Sequence, residues 1–280
     1  MKREIFDFVF SIGAACSCSR MLRERGLQYS SFPLDWVGNP RIDAGEVLRQ
    51  VSDLAAGGFR NWFEEENLER APQYDSERYM AYFDRGSRLF FAHDFTPGGD
   101  MHREYPKVRE KYARRIDRFA KVLSSARKAL VVWVADPRSS GEVAEDDIAY
   151  SLNSFRKAYP RTEFRLLVVN CVHGVRPENM HVKRGDGYEC LAFDYRVVTE
   201  GPPTWDVRTE MFDPIFDRYA AVDYRTRAEK RENARREKAR AYAKLKAKSA
   251  WGYLVNRMQF KIYRHFKRKL ERKGILQGIG

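Results

Sequence analysis

Short apolar segments, rich in β-branched and aromatic residues, alternate along this 280-residue chain with longer segments that are apolar on one side only. The short segments predict buried strands, and the longer ones predict amphipathic helices. The predicted strands are residues 5–12, 128–135 and 164–169, and the predicted helices are residues 17–24, 44–54, 104–127 and 143–159. Residues 78–95 and 180–195 are each interrupted by a turn sequence with glycine, which predicts two β-hairpins.

This order of elements predicts an α/β fold, in which helices flank a layered, mixed but mainly parallel sheet to which β-hairpins are added. Residues 31–36 contain Pro33 and predict a packed loop without regular structure. The longest uninterrupted apolar stretch, 129–135, is far shorter than the roughly 20 residues that a membrane-spanning helix needs. Because Glu4 and Asp7 interrupt the start of the chain, it does not resemble a signal peptide, and we expect a cytoplasmic protein with reduced cysteines.

The net charge of +13 is concentrated at the carboxyl-terminal end of the chain. Residues 221–280 hold 19 Lys or Arg against 5 Asp or Glu, whereas residues 1–220 hold 33 basic and 34 acidic residues. A neutral body with a basic appendage indicates attachment at one place, not binding of a polyanion over the whole surface. We therefore predict an α/β domain over residues 1–220 and a long basic helical tail over residues 221–280.

The second half of this tail carries an apolar residue at every fourth position, flanked by a basic stripe. This pattern is typical of a helix that lies in a membrane interface and is attracted by anionic lipid. The predicted membrane-binding residues are Trp251, Leu254, Arg257, Met258, Lys261, Ile262, Arg264, Phe266 and Arg268. We expect the protein to be peripheral on the inner face of a membrane. The same face could instead dock on the chain's own domain or on a partner helix, and nucleic acid is the least favoured partner.

Polar residues that follow predicted strands are the candidates for chemistry, because sites in open α/β sheets gather beyond the carboxyl ends of the strands. Cys16 follows the first predicted strand and precedes a helix, whose unpaired amide groups and dipole favour a thiolate. His93, Asp94 and Asp136 also lie at or beyond strand ends. A purely structural, buried Cys16 fits the same position.

Three motifs and a basic helix resemble a bacterial family of unknown function that is described as "putative papain-like cysteine peptidases". They are residues 10–16 (FSIGAAC), 32–36 (FPLDW) and 91–95 (FAHDF), followed by a long helix with Arg114, Arg115 and Arg118. Ile12 replaces the usual Leu and Leu34 the usual Phe, and both exchanges are apolar. The resemblance extends over roughly residues 5–200. The predicted alternation of strands and helices is closer to a layered hydrolase sheet than to papain, which has a helical half and a barrel half.

The resemblance implies a cysteine hydrolase in which Cys16 is the nucleophile and His93 the general base. Such a pair needs a third group to orient the imidazole, and Asp136 is preferred because it ends a buried strand. Asp94 and Asp35 are alternatives for this group, and His173 is an alternative base. Asp35 also fits a structural role in capping a turn. Relatives often accompany surface-polysaccharide genes, so the expected substrate is a peptide or a glycan-linked group.

A second interpretation is a non-catalytic or sugar-nucleotide-handling α/β protein that the tail recruits to a membrane. In that case Cys16 is structural, and its thiol reacts no faster than that of Cys18. Cys16, Cys18, Cys171 and His173 are potential zinc ligands, but pairs with a single intervening residue do not fit the spacing of structural zinc sites. We therefore predict no metal and no cofactor.

Overall fold

The computed structural model describes residues 2–13, 16–39, 43–138, 142–197, 207–239 and 241–243. The chain forms two compact units, Met1–Tyr224 and Arg225–Gly280. In the second unit, residues 227–239 are helical. A reciprocal cap precedes this helix: Thr226 Oγ1 accepts from the Glu229 amide at 3.2 Å, and the Glu229 carboxylate accepts from the Thr226 amide at 2.7 Å. The predicted membrane-binding residues lie outside the described residues: Trp251, Leu254, Arg257, Met258, Lys261, Ile262, Arg264, Phe266 and Arg268.

The described part of the first unit contains eleven strands and five α-helices. The strands are β1 (Glu4–Phe6), β2 (Phe8–Ser11), β3 (Val37–Gly38), β4 (Leu68–Arg70), β5 (Met80–Asp84), β6 (Leu89–Phe95), β7 (Lys128–Val134), β8 (Glu163–Cys171), β9 (His181–Gly185), β10 (Tyr188–Phe193) and β11 (Tyr219–Ala221). The helices are α1 (Cys16–Glu24), α2 (Ala44–Ala56), α3 (Met101–Ser125), α4 (Glu145–Ala158) and α5 (Asp213–Phe216). Among the residues that the structure describes, no helix is both long enough and apolar enough to span a membrane.

The central sheet has five strands in the order β2-β7-β8-β10-β9. The first four strands are parallel to their neighbours, and β9 is antiparallel at the edge. All residues of β7 except Lys128 are buried, because this strand lies inside the sheet and is covered on both faces. The predicted α/β fold with a mixed, mainly parallel sheet flanked by helices is confirmed.

The predicted single strand over residues 5–12 is wrong, because Asp7 divides it into β1 and β2. The Asp7 carboxylate accepts hydrogen bonds from the amides of Arg127 and Lys128 at 2.9 and 3.0 Å, which requires the chain to turn at this residue. As a result, β1 pairs with β11 in a separate two-stranded sheet, whereas β2 pairs with β7.

Alternate residues of the central strands supply two cores on opposite faces of the sheet. Phe8 and Phe10 of β2 belong to the core that includes α2, α3 and α4, whereas Val9 belongs to the core that includes α1. Burying each large apolar side chain contributes on the order of 1.5–3 kcal/mol before the entropy of ordering is subtracted. The two-residue period of the strands therefore determines that α1 and α3 lie on different faces.

A second sheet of four antiparallel strands has the order β3-β6-β5-β4. Its β5–β6 hairpin and the β9–β10 hairpin of the central sheet confirm the two predicted hairpins. Pro33–Trp36, which was expected to be irregular, forms one turn of 3₁₀ helix with Pro33 at its start. This turn leads directly into β3, which pairs with β6 through Val37 and Phe91.

Candidate active site

Gly13, which follows β2, is closely packed on the way to α1, whose first residue is Cys16. A Cβ on Gly13 would lie 2.9 Å from Cys18 Cβ and 3.3 Å from the Val134 amide nitrogen, so only glycine fits there without a shift. The Gly13 amide donates to Ser11 Oγ at 3.1 Å. The Cys16 side chain is thus partly exposed at the first turn of α1. Unsatisfied amide groups and the helix dipole favour a thiolate at this position.

His93 lies at an irregularity in the pairing of β6 with β5. Residues 91–95 of β6 lie opposite residues 80–82 of β5, so β6 contains two extra residues in this interval. Such a bulge bends a strand and redirects its side chains. His93 is consequently exposed, whereas the carboxylate of Asp94 is only 2% exposed.

Cys16 and His93 line the same cavity, which has a volume of about 350 Å³. Cys16 reaches it from the central sheet through α1, and His93 reaches it from the second sheet through β6. The other lining residues are Trp36, Val37, Gly38, Gln73, Tyr74, Asp75, Ser76, Phe90 and Ala92. The fold therefore brings together two candidates that lie far apart in the sequence.

The imidazole of His93 contacts two aromatic rings, each nearly perpendicular to it. Trp36 lies 6.0 Å from it with an interplanar angle of 88°, and Tyr79 lies 5.6 Å from it at 89°. Although the residue as a whole is exposed, neighbouring side chains shield its ring from part of the solvent, and this desolvation lowers the pKa of His93 below its ordinary value. The positive charge of Lys111 lowers it further. A neutral imidazole at neutral pH can accept a proton, which is what a general base requires.

The other three cysteines are buried thiols, which sets Cys16 apart from them. Cys18 contacts the carbonyl oxygen of Val132 at 3.9 Å, and burial raises the pKa of its thiol to about 12. Burial also raises the pKa of Cys171 and of Cys190 to about 11. These three thiols remain protonated at neutral pH, and their role is packing.

Known proteins resemble part of this chain. A family described as "Putative papain-like cysteine peptidase (DUF1796)" matches residues 7–174. The chain belongs to this family. An uncharacterized protein of Acanthamoeba polyphaga mimivirus, R408, is 24% identical over 153 residues, which are 49% of this chain and 65% of the relative. The chain thus matches less than two thirds of that relative's length. No solved structure matches the chain significantly.

The segment that matches the papain-like family contains Cys16, His93 and Asp136, together with the three alternative candidates Asp35, Asp94 and His173. It ends at residue 174, before the basic tail begins. Membership of the family therefore concerns the α/β unit and carries no information about the tail. The expectation that the family is bacterial is not confirmed, since the curated relative is viral.

Asp35 is fully buried behind the cavity and does not line it. Its Oδ2 accepts hydrogen bonds from the Phe32 amide at 2.9 Å, from Gln28 Nε2 at 2.7 Å and from the Arg23 guanidinium at 3.3 Å. Burial raises the pKa of this carboxyl to about 6 in spite of these donors. The same Arg23 lies 5.1 Å above the ring of Trp36. Asp35 thus fixes the turn that carries Trp36 to the helix that begins with Cys16.

The two remaining carboxylates, Asp94 and Asp136, bind groups other than His93. Asp94 pairs with Lys111 on α3 and accepts a hydrogen bond from a tyrosine hydroxyl of the same helix at 2.7 Å. Asp136 follows β7 as predicted, and its two oxygens bind the Arg138 side chain at 2.9 and 2.7 Å. His173 is exposed beyond β8. Within the described ranges, neither these side chains nor any others form a group of three or more His, Cys, Asp or Glu that could hold a metal ion.

The sequence pattern did not predict the aromatic side chains around the cavity. Tyr74 and Phe90 stack at 4.3 Å between ring centroids, and Tyr79 contacts His93. Tyr74 ends a short 3₁₀ turn, Pro72–Tyr74, and Tyr79 lies directly before β5 within the predicted hairpin, where the sequence pattern did not mark it as a contact of His93. The density of aromatic residues between positions 74 and 95 was the available clue, because such residues are common in ligand pockets.

Proposed function

We propose that the protein is a cysteine-dependent hydrolase in which Cys16 is the nucleophile and His93 the general base. The observation that carries this proposal is the shared cavity, in which the partly exposed thiol and the imidazole face one volume. Membership of a family described as papain-like cysteine peptidases supports it. A helix start favours the thiolate, and the lowered pKa of His93 leaves its imidazole neutral and able to accept a proton at neutral pH, while also making it a weaker base.

In the proposed reaction, His93 accepts the proton of the Cys16 thiol, and the sulfur attacks the carbonyl carbon of the substrate. Amide groups of the first turn of α1 are the donors available to the developing oxyanion. The tetrahedral intermediate expels its amine or alkoxide leaving group, which takes the proton from His93. Water then attacks the thioester carbon with His93 again as base, which releases the acid and restores the thiol.

We assign the orientation of the imidazole to the rings of Trp36 and Tyr79. The three carboxylates considered for this task, Asp136, Asp94 and Asp35, are each bound to other side chains. The proposed unit is therefore a Cys–His pair held by aromatic contacts, with the carboxylates acting through the surrounding structure. Replacing Asp136 by Asn tests this assignment. Loss of the third member of a triad lowers activity by several orders of magnitude, so a much smaller loss is expected here.

The direct test is the rate at which iodoacetamide modifies each cysteine of the folded full-length protein, followed by mass spectrometry as a function of pH. Cys16 should react rapidly below about pH 7, and Cys18, Cys171 and Cys190 should remain unmodified until unfolding. His93→Ala should abolish the reactivity of Cys16 below that pH. His173→Ala is the matched control and should leave it unchanged.

Each other outcome of this experiment rejects part of the proposal. If His173→Ala has the larger effect, His173 is the base. If Cys16 reacts no faster than the buried Cys18, the hydrolase proposal is wrong, and a non-catalytic or sugar-nucleotide-handling α/β protein accounts better for the cavity. Screening of peptide and glycan-linked esters or amides is justified only when Cys16 reacts rapidly and depends on His93.

We also propose that residues 221–280 attach the protein to an anionic membrane surface on the cytoplasmic side. The concentration of the positive charge in this segment supports the proposal. Flotation of full-length protein with phosphatidylserine vesicles should lose binding when Arg257, Lys261 and Arg264 are changed to Glu. The same number of reversals at Arg231, Arg235 and Lys238 is the control, and an equal loss would show that charge alone, without the apolar stripe, determines binding.

A further inference from the structure

We propose that the cavity beside Cys16 binds an uncharged, aromatic or bulky aliphatic group of the substrate, next to the carbonyl that the sulfur attacks. This inference rests on the proposed role of Cys16 and names the substrate class of the same site. The walls of the cavity, their charge and their volume each support it.

The walls of the cavity are aromatic and apolar near the reactive pair. Trp36 lies beside His93, and Tyr74 lies parallel to Phe90, with 4.3 Å between ring centroids and 7° between planes. Gly38 is required beneath this stack, because a Cβ there would lie 2.2 Å from the Phe90 ring. The backbone of β3 therefore lets the ring lie flat, and the stack forms a smooth wall against which a flat or branched apolar group can pack.

The charge of the cavity is cancelled within the protein itself. Asp75 is the charged side chain among the lining residues that the structure describes. Its two oxygens accept from the Arg70 guanidinium at 2.8 and 2.7 Å, and one of them also accepts from the Ala81 amide at 2.7 Å. Arg70 holds the pKa of Asp75 at about 2, so the pair stays intact at neutral pH. A charged substrate group would lose water in this cavity without gaining a counter-ion.

The volume of about 350 Å³ is near the lower end of the roughly 300–1,000 Å³ that ligand pockets occupy. It is large enough for one side chain or ring of a substrate. A single additional methylene in an apolar pocket changes specificity by roughly 10- to 200-fold. A substrate with an aromatic group should therefore react at least about ten-fold faster than one with a methyl group at this position.

The experiment measures alkylation of Cys16 in the full-length protein by a set of chloromethyl ketones. The N-acetyl derivatives of phenylalanine, alanine, lysine and glutamate share one reactive group, in which the thiolate forms a C–S bond as the C–Cl bond breaks and chloride leaves. Each second-order rate is divided by the rate with iodoacetamide, which reports thiol reactivity alone. The phenylalanine probe should react at least about ten-fold faster than the alanine probe on this scale, and the lysine and glutamate probes should be the slowest.

Variants of the wall locate the preference. Tyr74→Ala removes one ring of the stack, and Ala92→Leu fills space in the cavity; both should reduce the phenylalanine-to-alanine ratio, with each rate divided by the iodoacetamide rate of the same variant. Tyr150→Ala is the matched control, because Tyr150 is 44% exposed and lies outside the cavity. If both wall variants reduce the phenylalanine-to-alanine ratio, a folding defect in one of them cannot account for the result.

The outcomes separate this inference from the proposed function. If iodoacetamide fails to modify Cys16, the proposed function itself is wrong. If iodoacetamide modifies it but the phenylalanine and alanine probes react equally, or a charged probe reacts fastest, the nucleophile stands and the inference about substrate class is overturned. A ratio that falls as much in Tyr150→Ala as in Tyr74→Ala also overturns it.

Discussion

The buried carboxyl of Asp35 gives the sharpest prediction about stability. Its side chain is fully buried, and burial raises its pKa from 3.8 to about 6, although Phe32, Gln28 and Arg23 donate hydrogen bonds to it. No donor among the described residues reaches Oδ1. A carboxylate in this place is therefore less well solvated than in water, and the folded protein prefers the protonated form.

The sign of the pH dependence follows from this preference. Between the ordinary pKa and the raised one, the folded state binds a proton that the unfolded state has released, so the free energy of unfolding falls as the pH rises. The shift of roughly two units corresponds to about 3 kcal/mol over the whole interval, at 1.36 kcal/mol per unit. Between about pH 4.5 and pH 7.5 this amounts to roughly 2 kcal/mol, because part of the interval lies below the lower limit.

Asp35→Asn removes the titration and keeps the size of the side chain and an acceptor for the Phe32 amide. Urea unfolding of both proteins should show that the free energy of unfolding of the Asp35→Asn variant, relative to wild type, rises by roughly 2 kcal/mol between about pH 4.5 and pH 7.5. Asp75→Asn is a useful contrast, because the pKa of Asp75 is lowered to about 2 and its contribution to stability is lost only as the pH falls below about 4. Its difference from wild type should therefore hardly change between about pH 4.5 and pH 7.5. A difference between the Asp35→Asn variant and wild type that is independent of pH would refute the reasoning, because it would show that the donors solvate the charge as well as water does.

Two further predictions concern the surroundings of the reactive pair. Gly13→Ala should lower the free energy of unfolding by about 1–3 kcal/mol in a thermal melt, because the new Cβ meets Cys18 and the backbone of β7; unchanged stability would contradict this packing. Lys111→Met should raise the pKa of His93, seen as a shift to higher pH in its NMR titration and in the acid limb of Cys16 alkylation. A titration identical to wild type would show that the Lys111 charge does not reach the imidazole.

The sequence determines the regular elements well where a periodic pattern is long enough. The segment 104–127 predicted α3 because its apolar side repeats over several turns, and 128–135 predicted β7 because it is an almost wholly apolar run. A single Asp7 within an apolar run carried too little weight to predict the break between β1 and β2. Strands of two or three residues, such as β3, are formed by their partners, so local sequence cannot predict them.

The candidate site likewise contains residues that local sequence identifies and an arrangement that only the tertiary structure reveals. Cys16 and His93 could be selected from strand ends and from the family motifs. The rule that favoured Asp136 assumes a sheet whose strand order reverses and opens a crevice at the carboxyl ends. The parallel strands here follow one another as β2-β7-β8-β10 without a reversal, and the cavity lies instead where α1 approaches the second sheet. The position of Cys16 relative to His93 depends on the pairing of β3 with β6, which the sequence did not predict.

That pairing explains how residues from two different sheets can act together. The turn Pro33–Trp36 is bound to α1, since Ser19 Oγ donates to the carbonyl oxygen of Asp35 at 3.1 Å and Arg23 binds the carboxylate. Immediately after this turn, Val37 pairs with Phe91 two residues before His93. A segment of a few residues therefore connects the helix that presents Cys16 to the strand that presents His93. The relative position of sulfur and imidazole is determined by this connection, so substitutions at Ser19 or Asp35 should alter reactivity although neither residue lines the cavity.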